Sequence, residues 1–201
     1  MSDYKFTQDW FHWAPELWTQ LIPMLPGTAG DRRFLEIGSF EGRSAVWIAE
    51  NMAAPEDTIL CVDTWKGGEE HGAEDMEAVF ELFKHNIIVA RKKTKCFIGH
   101  CRRTSTSLLA EEIAEDQGAT YDFVYIDGSH VAKDVLTDAC LAWPLLKQGG
   151  LMVFDDYMWG EARDILHRPK VAIDAFVNIF AEEIELVHAG YQLVVRKKET
   201  P

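Results

Sequence analysis

Short apolar runs recur along the chain, each followed by a stretch with helical spacing. Phe34–Ile37, Thr58–Val62, Lys95–Ile98, Tyr121–Ile126 and Leu151–Phe154 are the length of buried strands. Between them, Arg43 to Ala53 carries Ala45, Ile48, Ala49 and Met52 on one helical face. Ala73 to Ala90 carries Met76, Val79, Phe80, Phe83 and Ile87. A third helix starts near Thr104, after a turn over Gly99 to Arg103, and hydroxyls at 104–106 offer caps. A fourth lies between Asp127 and Leu151, ended by Gly149 and Gly150. A fifth runs from Val171 to Phe180, and IELVH and YQLVVRKK then alternate across Ala189-Gly190 as a hairpin. Ahead of these units, residues 10 to 25 space Trp10, Leu17, Trp18, Leu21 and Leu25 as one helix. The pattern predicts an α/β fold: a doubly wound, mostly parallel seven-stranded sheet with a C-terminal antiparallel hairpin. Residues 31–201 form that domain. Residues 1–30 form a helical segment, either a cap on the sheet or a lid over a substrate.

Composition narrows the partners. The chain has 201 residues, of which 47% are hydrophobic and 26% charged, enough for one full core. A net charge of −13 argues against nucleic acid and against an anionic membrane surface. No apolar run approaches the roughly 20 residues of a membrane span, and the N-terminus is too polar for a signal-peptide core. Cys61, Cys96, Cys101 and Cys140 have no zinc or redox spacing, which points to a reducing cytoplasm.

The candidate chemistry sits at the ends of the apolar runs. Asp127 closes the fourth and Asp155-Asp156 closes the fifth. A right-handed crossover sets these two strand ends side by side, where open α/β sheets hold ligands. Three converging carboxylates repel one another unless a cation lies between them, and a hard divalent ion fits. The plainer alternative is a helix cap plus a solvated acid. His130 follows Asp127 on the turn that opens the next helix, where it is either a general base or a histidine bonded to backbone. Lys133 is a weaker second base. Upstream, Glu36-x-Gly38-x-x-x-Gly42 joins a strand to a helix and lets a ligand approach the backbone. It is not the dinucleotide fingerprint, because Glu36 stands where the first glycine would be. Asp63 ends the second strand, where an acid can accept ribose hydroxyls. Trp65, in the long loop after it, offers a ring to an adenine.

These residues resemble the class I S-adenosylmethionine-dependent methyltransferases over about residues 34 to 196, and so imply their Rossmann-like fold. Glu36-x-Gly38-x-x-x-Gly42 looks like the motif that holds the methionine end of the cofactor, Asp63 the ribose acid, and the terminal hairpin the family's extra antiparallel strand. IDGSH, the LLKQGG turn and DDY resemble the metal-dependent small-molecule O-methyltransferases, nearest to the macrocin and mycinamicin sugar enzymes. The resemblance implies Mg²⁺ on Asp127, Asp155 and Asp156, and His130 as base. The implied cofactor contacts are Glu36, Gly38, Gly42, Ser44, Asp63, Trp65, Cys101 and Asp127. The implied reaction moves a methyl group from S-adenosylmethionine to a hydroxyl of a small sugar or natural-product acceptor. A catechol-type phenolic acceptor, a nucleotide-binding oxidoreductase, a non-catalytic relative and a homo-oligomer remain open.

Overall fold

In the computed structural model, which describes residues 3–68, 71–72, 74–115, 118–160 and 162–199, the apolar runs pair as parallel strands. They are β1 (Arg33–Ile37), β2 (Thr58–Asp63), β3 (Phe97–Arg102), β4 (Tyr121–Ile126) and β5 (Leu146–Phe154). β6 (Ile184–Ala189) and β7 (Leu193–Lys197) join antiparallel, giving one seven-stranded sheet of order β3-β2-β1-β4-β5-β7-β6. The order reverses at β1, whose neighbours are β2 and β4. That reversal is where loops part and a crevice opens above the carboxyl ends. Ile37 pairs with Ile126 and Ile126 with Phe154, so Gly38, Asp127 and Asp155 follow in adjacent rows.

Period-two alternation gives the sheet two buried faces. Phe123, Tyr125, Leu151 and Val153 face one layer, with α1 (Ala14–Leu21), α2 (Arg43–Trp47) and α3 (Met76–Thr94). Val124, Ile126, Met152 and Phe154 face the other, with α4 (Ser105–Ala114), α5 (Ala132–Leu145) and α6 (Lys170–Ile179). α1 buries Ala14, Trp18 and Leu21 against the first layer. No helix among the described residues is long and apolar enough to cross a membrane, and all four cysteines are free.

Several boundaries differ from the expectations, each for a local reason. Residues 146–150 are strand, not the end of a helix. Tyr121 pairs with Leu146 but Phe123 with Leu151, so Lys147 to Gly150 form a bulge, fixed by Lys147 Nζ on Asp122 Oδ2 at 2.8 Å. β3 extends to Arg102 through the stretch expected to turn, because Gly99 to Arg102 pair with Leu60 to Asp63. Residues 48–52 form a π-helical turn in place of the last turns of an α-helix. The expected helix start at Ala73 lies outside the described residues, and α3 begins at Met76 with Asp75 as its cap. The hairpin turn is three residues, Gly190 to Gln192, which moves Tyr191 and Gln192 out of the strand.

Candidate active site

The turn after β1 is held from every side. Gly38 N donates to Val62 O at 2.9 Å. Asp63 Oδ2 accepts from the amides of Ser39 (2.9 Å) and Phe40 (3.0 Å), and Oδ1 from that of Trp65 (2.7 Å). Each carboxylate oxygen has two lone pairs, so Asp63 keeps one acceptor site on Oδ1 in this conformation. Glu36 is fully buried and accepts from Ser39 Oγ (2.6 Å) and Ser44 Oγ (2.5 Å). Burial pushes its pKa up to about 7 against the pull of those hydroxyls. Glu36 and Ser44 therefore brace the turn from beneath. Gly38 and Gly42 both have positive φ. A Cβ on Gly38 would lie 2.0 Å from Asp127 O, so the turn and the β4 end touch backbone to backbone.

One expectation for this side is corrected. Trp65 is 1% exposed, its ring packed on Phe80 and Phe83 and its Nε1 donating to Phe40 O at 2.9 Å. It is core and has no face left for an adenine. A Cβ on Gly42 would meet Phe83 Cδ2 at 2.9 Å and Ile87 Cδ1 at 3.3 Å, so a side chain there would press on α3. Cys101 is partly buried on β3, beside Val62.

The acids converge as the crossover predicts, though not as a symmetric triad. Atoms of Asp127, His130 and Asp156 lie within 4.8 Å of one another, close enough to share one ion. His130 Nε2 lies 2.7 Å from Asp156 Oδ2, and Tyr191 Oη donates to Asp156 Oδ1 at 2.8 Å. Asp155, expected as a ligand, lies outside that group but lines the same small cavity. Alternation puts it on the Tyr125 face, where Oδ2 meets Tyr125 Oη while Oδ1 accepts from Asp156 N at 2.8 Å. Asp156, the next residue, points the other way, toward His130, and has a φ of 58°. Tyr125 Oη also donates to Asp127 Oδ2 at 2.9 Å. A cavity of about 10 Å³ sits between Asp127, His130, Asp155 and Asp156, close to the space of one water or bare cation.

The charges of this cluster are unbalanced. Burial, then repulsion from Asp155 and Asp156, holds Asp127 well above the usual carboxylate range. Burial and Asp156 push Asp155 up to about 6. A raised carboxyl pKa means that the folded chain keeps protons the unfolded chain has released. Stability should then fall as pH rises from about 4 through about 7. A divalent cation would take the place of the protons on Asp127 and Asp155. In chelator the melting temperature should drop across that window, and in Mg²⁺ the drop should shrink. Matching profiles in the two buffers would mean that no cation enters the cluster.

Tyr125, Tyr191 and Gln192 were not singled out from sequence. Tyr125 reads there as one more apolar strand residue, and the hairpin pair as strand. The one available signal was a hydroxyl in an otherwise apolar run, two residues before the strand-end acid.

A family model described as a methyltransferase domain matches residues 35–157. The chain is similar to tricin synthase 1 of Oryza sativa subsp. japonica, 28% identical over 166 residues, 79% of the chain and 60% of that protein. The chain thus spans less than two thirds of that relative's length. In fold it is similar to the O-methyltransferase from Bacillus cereus in complex with SAH, with a TM-score of 0.64 and 16% identity over 96% of this chain and 84% of that one. It is also similar to the MycE methyltransferase of the mycinamycin biosynthetic pathway in complex with Mg and SAH. There the TM-score is 0.60 and the identity 19%, over 96% of this chain and 51% of that one.

Proposed function

The chain belongs to the methyltransferase-domain family, and on that premise we propose that it is a metal-dependent O-methyltransferase. It would move the methyl of S-adenosylmethionine to a hydroxyl of a small molecule. The observation that carries the metal part is the Asp127–His130–Asp156 cluster beside Asp155. SAH in the Bacillus cereus and MycE complexes, and Mg in the MycE complex, support the choice of cofactor and ion.

The donor set fits a divalent cation: two carboxylates and an imidazole around a small space, with a third carboxylate adjoining. When bound, such an ion lowers the pKa of a coordinated hydroxyl and orients it. The chain's own residues do the rest. The turn at Gly38 to Gly42, braced by Glu36, Ser44 and Asp63, would carry the cofactor beside Asp127. Methyl transfer is an in-line displacement: the S–CH₃ bond breaks as O–CH₃ forms, and the hydroxyl proton must leave. His130 is the base in reach, with Asp156 steadying its ring through Nε2 and Trp159 packed on it at 4.3 Å between ring centroids. Trp13 and Tyr191, exposed and in edge contact at 5.0 Å, adjoin the cluster through Tyr191 Oη on Asp156 and would suit an acceptor with a flat apolar face. That chemistry covers a phenolic ring as well as the apolar face of a sugar.

A second reading has its own support, since His130 falls inside the tight group and Asp155 outside it. In that arrangement His130 is a ligand, and an imidazole ligand favours a transition metal over Mg²⁺.

The test is transfer of labelled methyl from S-adenosylmethionine to a panel of sugar and phenolic acceptors. Turnover should cease in EDTA and return with Mg²⁺ or Mn²⁺. Full turnover in chelator would reject the metal and leave the acids structural, and no transfer to any acceptor with cofactor bound would favour a non-catalytic role.

A further inference from the structure

We propose that Tyr125, Gln192 and Trp18 are positioning residues that set the carboxylates of Asp127 and Asp155 for a divalent cation. The proposal rests on the metal-dependent reading of the site. β4 is buried along its whole length, and a phenylalanine would fill the Tyr125 position as well. Its hydroxyl therefore needs a reason. It lies between two acids, donating to Asp127 Oδ2 at 2.9 Å and touching Asp155 Oδ2. A phenol that engages one oxygen of each carboxylate fixes how both planes are turned. The remaining Asp127 oxygen is then free to meet the ion beside Asp156.

The hydroxyl is held in turn by α1. Trp18, which is fully buried, packs edge-on against the Tyr125 ring at 4.8 Å and 84°. Its Nε1 donates to Gln192 Oε1 at 2.8 Å. Gln192 is 2% exposed, and its Nε2 has no hydrogen-bond partner within normal distance among the described residues. One tryptophan outside the alternating β/α units thus holds the Tyr125 ring and the Gln192 amide together. A buried amide donor without a partner is costly, and this one follows Tyr191, whose Oη donates to Asp156 Oδ1. Partners of metal-bound carboxylates orient them, and their loss typically costs about 10–100-fold in metal affinity.

The measurement is calorimetric titration of Mg²⁺ into the full chain with S-adenosylhomocysteine present. Tyr125→Phe keeps the ring and should raise the Mg²⁺ Kd by about 10–100-fold, leaving S-adenosylhomocysteine affinity unchanged. Trp18→Phe and Gln192→Leu should each weaken Mg²⁺, and the double variant should lose no more than the worse single one, because they act as one unit. An unchanged Mg²⁺ Kd in Tyr125→Phe, with wild type binding the ion, overturns this proposal alone. A wild type that binds neither Mg²⁺ nor Mn²⁺ overturns it together with the metal reading.

Discussion

Replacing His130 with alanine is expected to cut kcat by about 10²–10⁴-fold, the usual cost of losing a general base. The proton moves only in the transition state, so KM should change little. The structure adds a control that separates two roles for this side chain. His130 Nε2 faces Asp156 Oδ2 at 2.7 Å, inside the group of atoms close enough to share an ion. As a base, His130→Ala leaves the divalent-ion Kd nearly intact, and higher pH partly restores the rate. As a ligand, it raises that Kd and pH rescues nothing. A wild-type rate on a true acceptor would remove His130 from both roles. Lys133 does not gain by default, because its ammonium is exposed and paired with Asp134 at 2.5 Å.

Gly38→Ala is expected to be the most damaging single methyl in the chain. The backbone there has φ +83°, and the new Cβ would lie 2.0 Å from Asp127 O and 2.7 Å from Gly128 Cα. Neither neighbour is a side chain that can swing aside. Left-handed strain in a non-glycine costs about 1–3 kcal/mol, and overpacking about as much again. Together these are a large share of a typical folding stability of about 5–15 kcal/mol. Denaturant unfolding should show the loss directly. Any folded remainder should bind neither cofactor nor metal well, because the β1 turn and the β4 end would have been pushed apart. Gly42→Ala is the comparison: its Cβ would meet a side chain, the Phe83 ring at 2.9 Å, and not backbone at 2.0 Å, so its cost should be smaller. A Gly38→Ala variant as stable as wild type would mean that the two loops are not in contact.

The order of elements and the place of the site were legible in the sequence because both depend on local pattern. Apolar runs of strand length, helical spacing between them and acids just past their ends specify a parallel sheet with chemistry at its carboxyl edge. Asp127 and Asp156 meet as that pattern implies, with His130 and not Asp155 completing the closest group. The parts that were not legible depend on which way a side chain points after the regular structure ends. Asp155 and Asp156 are neighbours with the same chemistry, yet just past the strand end one meets Tyr125 and the other His130. Trp65 looked like a loop aromatic available to a ligand, and the long loop instead folds its ring onto α3. Trp18 and Gln192 stand 174 positions apart, and only the packing of α1 across the sheet brings them to one hydrogen bond. Sequence alone determined the topology and the charges gathered at its switch point, since each follows from periodicity and strand ends. The tertiary structure decided which of those charges come close to one another and which are held by a neighbour, since contacts between distant segments have no local signature.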